Sequence, residues 1–179
     1  TGDTTNYNQS EVWSNSITNS AGGWDSSYPI TNAFNGVISG ANTTRSSNSA
    51  ITTTFAPATG ISYSTSVEVW TWYTGTVSLN GGTGVSVTDD QSWRTIHSGS
   101  GTLNTLAFVG NSGNNVYIAG IRVDGKILVD AGVIPRGSNN LYEYNQSAVW
   151  SGMFNPAPSY GSANRTFNGE IGNQPGYMN

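Results

Sequence analysis

The chain has a single histidine and no cysteine. Thiolate nucleophiles, disulfides, zinc–thiolate centres and multi-histidine metal sites are therefore excluded together. The histidine, His97, stands in the run WRTIHSGSG beside Ser98 and Ser100. A Ser–His pair needs its two side chains within hydrogen-bond reach, but neighbours on a strand point to opposite faces. A solvated histidine at a strand end is the expectation. Paired carboxylates for glycoside hydrolysis must come from Asp3, Glu11, Asp25, Glu68, Asp89, Asp90, Asp124, Asp130, Glu143 and Glu170. Ten acids always allow some pair, and no spacing singles one out. No catalytic residue is assigned, and the protein is expected not to be an enzyme.

Two other groups can bind rather than react. Asp89 and Asp90, in VTDDQSW, offer hard oxygens to Ca²⁺ together with backbone carbonyls. The competing reading is a turn in which Asp hydrogen-bonds its own backbone. No other cofactor is indicated. In VEVWTWY, Val67, Val69, Thr71 and Tyr73 alternate with Glu68, Trp70 and Trp72. With the valines inward, Trp70 and Trp72 share the outer face about 7 Å apart, since a strand advances ~3.3 Å per residue. Two indoles so spaced form a stacking platform for a sugar ring, and Glu68 accepts its hydroxyls. Large aromatics are more often covered by a sheet, a domain or a subunit.

The elements that must position these groups are short strands. Charged residues are only 9% of the chain, the net charge is −4, and six Trp and nine Tyr are present. That combination is a folded chain with neutral polar surfaces rather than a disordered one. The six Lys and Arg are scattered, which argues against nucleic-acid binding. No apolar run is long enough to insert in a membrane, and no signal peptide is visible. Val77–Leu79 and Val85–Val87 flank the loop Asn80-Gly81-Gly82-Thr83-Gly84, as in a hairpin. Thr102–Val109 alternates like one strand, and Asp124-Gly125 sits between two apolar runs as a type I′ tip. No window has a helical apolar stripe. The expected fold is all-β, an antiparallel, jelly-roll-like β-sandwich.

The chain also repeats itself. Residues 7–14 read YNQSEVWS and residues 144–151 read YNQSAVWS, and Ala33-Phe34-Asn35-Gly36 returns as Thr166-Phe167-Asn168-Gly169. The period of about 137 residues suits a whole domain. Residues 1–133 are read as one complete unit, 134–140 as a linker and 141–179 as the beginning of a second copy. Trp13 and Trp150 occupy matching positions, as expected of core residues. So short a segment buries little apolar surface alone. Tyr144, Val149, Trp150, Phe154 and Phe167 are expected to need cover from the first domain, from further chain or from another subunit.

The residues VWS, AFNG, TTTFAPATGISYSTSVEVW, SGSGTLNTLAF and IAGIRVDGKILVDAG, in this order, resemble a repeat domain of marine phage and cyanobacterial tail-fibre-like structural proteins. The likeness runs from about Val12 to Gly132, with Ile118 to Asp130 its most specific part. The order of elements is also similar to galactose-binding-like jelly rolls, whose early loop often reads Ala-Phe-Asp-Gly. Both copies here carry Asn, at Asn35 and Asn168, which keeps the turn and lacks the carboxylate of a calcium ligand. The resemblance implies an extracellular or virion fibre module that assembles with copies of itself or other fibre subunits. The alternative is a carbohydrate-binding module for a cell-surface glycan. An accessible aromatic face favours the second, and a covered one the first.

Overall fold

The structure, a computed structural model, describes residues 7–133. The expected linker, 134–140, and the expected start of a second copy, 141–179, with its five proposed assembly residues, lie outside the described residues. Two sheets make the sandwich. One runs β1 (Tyr7–Asn8), β13 (Lys126–Leu128), β12 (Tyr117–Val123), β6 (Ser66–Thr71) and β9 (Trp93–Ser98), with β3 (Thr44–Arg45) also pairing with β12. The other runs β2 (Ile17–Asn19), β4 (Thr52–Phe55), β11 (Leu106–Gly110), β7 (Gly75–Leu79) and β8 (Val85–Val87). A ribbon of β5 (Ile61–Tyr63) and β10 (Gly101–Leu103) stands apart. Helical turns among the described residues are all 3-10, at Trp13–Ser16, Ile30–Phe34 and Gly40–Asn42. None of these is long and apolar enough to cross a membrane. The fold is all-β, as the sequence indicates. One pairing departs from the antiparallel expectation, because β1 runs parallel to β13.

Alternation sets the core. Val67 and Val69 of β6, Ile121 of β12, Val77 of β7 and Phe108 of β11 are fully buried. Trp13 packs on Phe55 with centroids 6.3 Å apart, and Phe34 packs on it at 5.8 Å. The hairpin tip is as expected: Val123 opposes Lys126, and Asp124 and Gly125 both have positive φ, 49° and 76°. A type I′ turn demands that pair of conformations, which a β-branched residue resists.

Thr102–Val109 does not form one strand. It splits into β10 and β11 in different sheets, and Leu103, Leu106 and Phe108 are all buried. The break is made by a side chain. Asn80 Oδ1 accepts both the Asn104 and Thr105 N–H at 2.9 Å, and its Nδ2 donates to the Thr102 carbonyl at 2.7 Å. Those amides then cannot serve a ladder.

The YNQSEVWS segment closes the unit. Trp13 Nε1 donates to the Asn8 carbonyl at 2.9 Å. Ser14 donates its N–H and its hydroxyl to the two oxygens of Asp130, at 2.9 and 2.7 Å. The Asp130 N–H in turn donates to the Phe34 carbonyl at 2.8 Å.

The hairpin tip is itself clamped. The Asp124 carboxylate accepts from the N–H groups of Ser64, Thr65 and Ser66 and from the Ser64 and Thr65 hydroxyls. The Thr65 N–H above all, then the Ser64 N–H, the Thr65 hydroxyl and the Ser66 N–H, hold this carboxyl far below the usual carboxylate range, against a smaller opposing desolvation. A pKa lower in the folded than in the unfolded chain adds stability above about pH 4 that fades as pH falls. Asp124→Asn is therefore expected to melt below the wild type at pH 7, with the gap narrowing progressively as pH drops below about 4. Melting curves across that range check this, and a pH-independent gap would refute the clamp.

Candidate functional site

Trp70 and Trp72 do not form one flat platform. Trp70 lies in β6 opposite Trp93 on one side and Gly120 on the other, and only 6% of it is exposed. The Arg122 guanidinium lies 4.3 Å from the centroid of the Trp93 ring and holds Glu68 through two bonds of 2.7 and 2.8 Å. A Cβ on Gly120 would come within 2.6 Å of Ile38 Cδ1 and 3.2 Å of Trp93. The unit thus covers this face with its own Ile38, Trp93 and Arg122, and Glu68 is already bound. Trp72 parts from Trp70 because β6 ends at Thr71, just where the register with β12 shifts between Ile118 and Gly120.

Beyond that break, Trp72 is half-buried. Its N–H donates to the Tyr117 carbonyl at 3.2 Å, and its ring packs on the Tyr117 ring with centroids 5.7 Å apart and planes at 57°. Trp72, Tyr73, Thr74, Asp89, Asn114 and Tyr117 line an open pocket of about 160 Å³. A cavity of about 150 Å³ admits benzene, so the space suits one six-membered ring. Asp89 and Asn114 are exposed at its rim. Tyr73 forms a rigid part of the wall: it is 3% exposed, and burial pushes its phenol far above the usual range.

A second layer fixes Tyr117. Arg45, opposite it across the β3–β12 pair, donates from Nη1 to the Tyr117 hydroxyl at 3.1 Å. Its guanidinium lies 5.0 Å from the centroid of the Tyr28 ring and pairs with Asp25. The Tyr117 hydroxyl first, with Asp25 adding, raises the Arg45 pKa. Asp25 is lowered chiefly by the Ser27 N–H, with Arg45 contributing. Tyr28 meets Tyr117 edge-on at 6.1 Å. The Tyr28 ring and the always-charged Arg45 guanidinium thus support the Tyr117 wall of the pocket.

The two neighbouring aspartates part company. Asp90 pairs with Arg94 at 2.9 Å, and its carboxyl is lowered first by the Ser92 hydroxyl and then by Arg94. Asp89 turns to the pocket and forms no ion pair among the described residues. Nowhere among the described residues do three His, Cys, Asp or Glu gather as a metal group. His97 is exposed, with Nδ1 3.0 Å from the Tyr63 hydroxyl.

Of the residues singled out from sequence, Trp72 and Asp89 therefore meet at one pocket, 17 positions apart in the chain. Trp70, Glu68 and Asp90 lie elsewhere. Tyr117, Asn114 and Arg45 were not foreseen; the one available signal was Tyr117 opening β12, the longest strand among the described residues.

No protein family and no curated protein matches this chain. Among solved structures it is similar to the family 32 carbohydrate-binding module of C. perfringens NanJ, determined in complex with galactose. The identity is 12% over 62% of this chain and 94% of that one, with a TM-score of 0.41. A likeness of that size transfers neither site nor ligand.

Proposed function

We propose that this unit is a carbohydrate-binding module that takes one pyranose ring in the Trp72–Tyr117 pocket. The observation that carries the reading is the pocket's composition. Aromatic walls accept the C–H face of a sugar, while Asp89 and Asn114 accept and donate hydrogen bonds to its hydroxyls. A carboxylate and an amide at the rim suit a neutral polyol, whose hydroxyls both donate and accept. The proposed role is binding: among the described residues Asp89 is the one acid lining the pocket, whereas glycoside hydrolysis uses two. Such a module acts outside the cell, on a fibre or on a secreted protein. The fibre context rests on the repeated motif and not on the pocket.

The test is a glycan array with the full chain, followed by calorimetry on the best neutral glycan. Trp72→Ala is expected to weaken binding about tenfold or more, from lost stacking and lost apolar contact. Asp89→Asn is expected to weaken it less, and Trp93→Phe, on the covered face, hardly at all. A chain that binds no glycan, or binds one equally well without Trp72, overturns the reading.

A further inference from the structure

Independently of any glycan, the loop after Phe34 gathers oxygens around one point. Asn35 Oδ1 accepts the Val37 N–H at 2.9 Å, and Gly36 makes the turn at φ +78°. The carbonyl oxygens of Asn32 and Val37 face the same point as Asn35 Oδ1. At that point sits a nitrogen. Asn42 Nδ2 lies 3.2 Å from the Asn32 oxygen, 2.7 Å from the Val37 oxygen and 2.9 Å from Asn35 Oδ1. Asn42 Oδ1 accepts from Asn35 Nδ2 at 3.0 Å, so the two amides also clasp each other.

Backbone carbonyls and a side-chain oxygen converging from three directions are the donor set of a hard cation such as Ca²⁺. The similarity to galactose-binding-like jelly rolls implies calcium at this early loop. The residues present do not fit it. Asn35 brings no charge, and the space among the oxygens is filled by an amide nitrogen carrying two protons. We propose that the Asn42 side chain takes the place of the cation, so that the loop is ordered without divalent metal. The amide is tethered to the chain, so ordering the loop does not depend on ion concentration. A single change of charge at residue 42 is then expected to make the loop metal-dependent.

Melting temperatures of the full chain in millimolar CaCl₂ and in EGTA test this. The wild type is expected to melt alike in both; a rise of several degrees in calcium overturns the proposal. Asn42→Ala removes the donor from the Asn32 and Val37 carbonyls and leaves Asn35 Oδ1 with the Val37 N–H alone, and it is expected to melt about 5–10 °C lower in both buffers. An unchanged melting point overturns the proposal. Asn42→Asp is purified in calcium and then transferred to EGTA. It sets a carboxylate among oxygens and is expected to fall further in EGTA and regain most of the loss in calcium. If Asn42→Asp shows no calcium response, or is unfolded in both buffers, the cation-equivalent role of Asn42 is wrong. Glycan binding enters none of these readouts.

Discussion

Replacing Phe55 with alanine is expected to lower the free energy of unfolding by about 3–5 kcal/mol. The residue ends β4, opposite Ile17 of β2 on one side and Leu106 of β11 on the other. Its ring is fully buried and packs on both Trp13 and Phe34. The cost of such a truncation rises with the cavity left behind, and here little can collapse into it. Both flanking strands are held in register by ladder bonds. The Ala56 N–H is also fixed to the Ser16 carbonyl at 2.7 Å. Phe55→Leu keeps most of the volume and should lose much less. Domains are stable by only about 5–15 kcal/mol, so the alanine variant is near the edge of folding. Urea titrations of wild type and both variants measure the difference, and a loss below about 1 kcal/mol would show that the ring does not hold the core together.

Asp130→Ala is expected to cost about 2–4 kcal/mol, more than most single polar substitutions. Asp130 is 4% exposed and serves Ser14 with both oxygens. Its removal takes the acceptor from a backbone N–H and a hydroxyl of the half-buried Ser14. Ser14→Ala removes only the hydroxyl bond and should cost about 1 kcal/mol. Asp130→Asn keeps one acceptor and should fall between the two. The ordering of the three in urea is the test, and equal losses would assign the effect to packing instead. The clasp gives physical content to the YNQSEVWS motif. Gln9 reaches the Val133 carbonyl at 2.6 Å, and the Ala131 N–H donates to the Glu11 carbonyl at 2.9 Å. The motif thus ties the start of the described residues to their end.

Much of this was legible in sequence, for reasons that are local. Asp124-Gly125 announces its hairpin because both residues must adopt positive φ. Val67, Val69, Thr71 and Tyr73 are all buried, because an alternating strand has only one face to give to the core. An all-β chain follows from many such segments without a helical stripe. The strand limits were less legible where a distant side chain ends them. Asn80, more than 20 positions away, cuts Thr102–Val109 in two by taking its amides.

The site was decided almost wholly by tertiary structure. Period-two alternation places Trp70 and Trp72 on one face only while the strand continues, and β6 stops between them. Trp70 is then sealed by Trp93 and Ile38, and Trp72 joins Tyr117. Glu68 looked like a free acceptor until Arg122, 54 residues on, took both its oxygens. Composition determined that the chain folds into strands with neutral surfaces and holds few groups able to react. Which aromatic ring meets water, and whether Glu68 or Asp90 finds an arginine, depended on contacts that the sequence does not spell out. Local periodicity carries no record of those contacts.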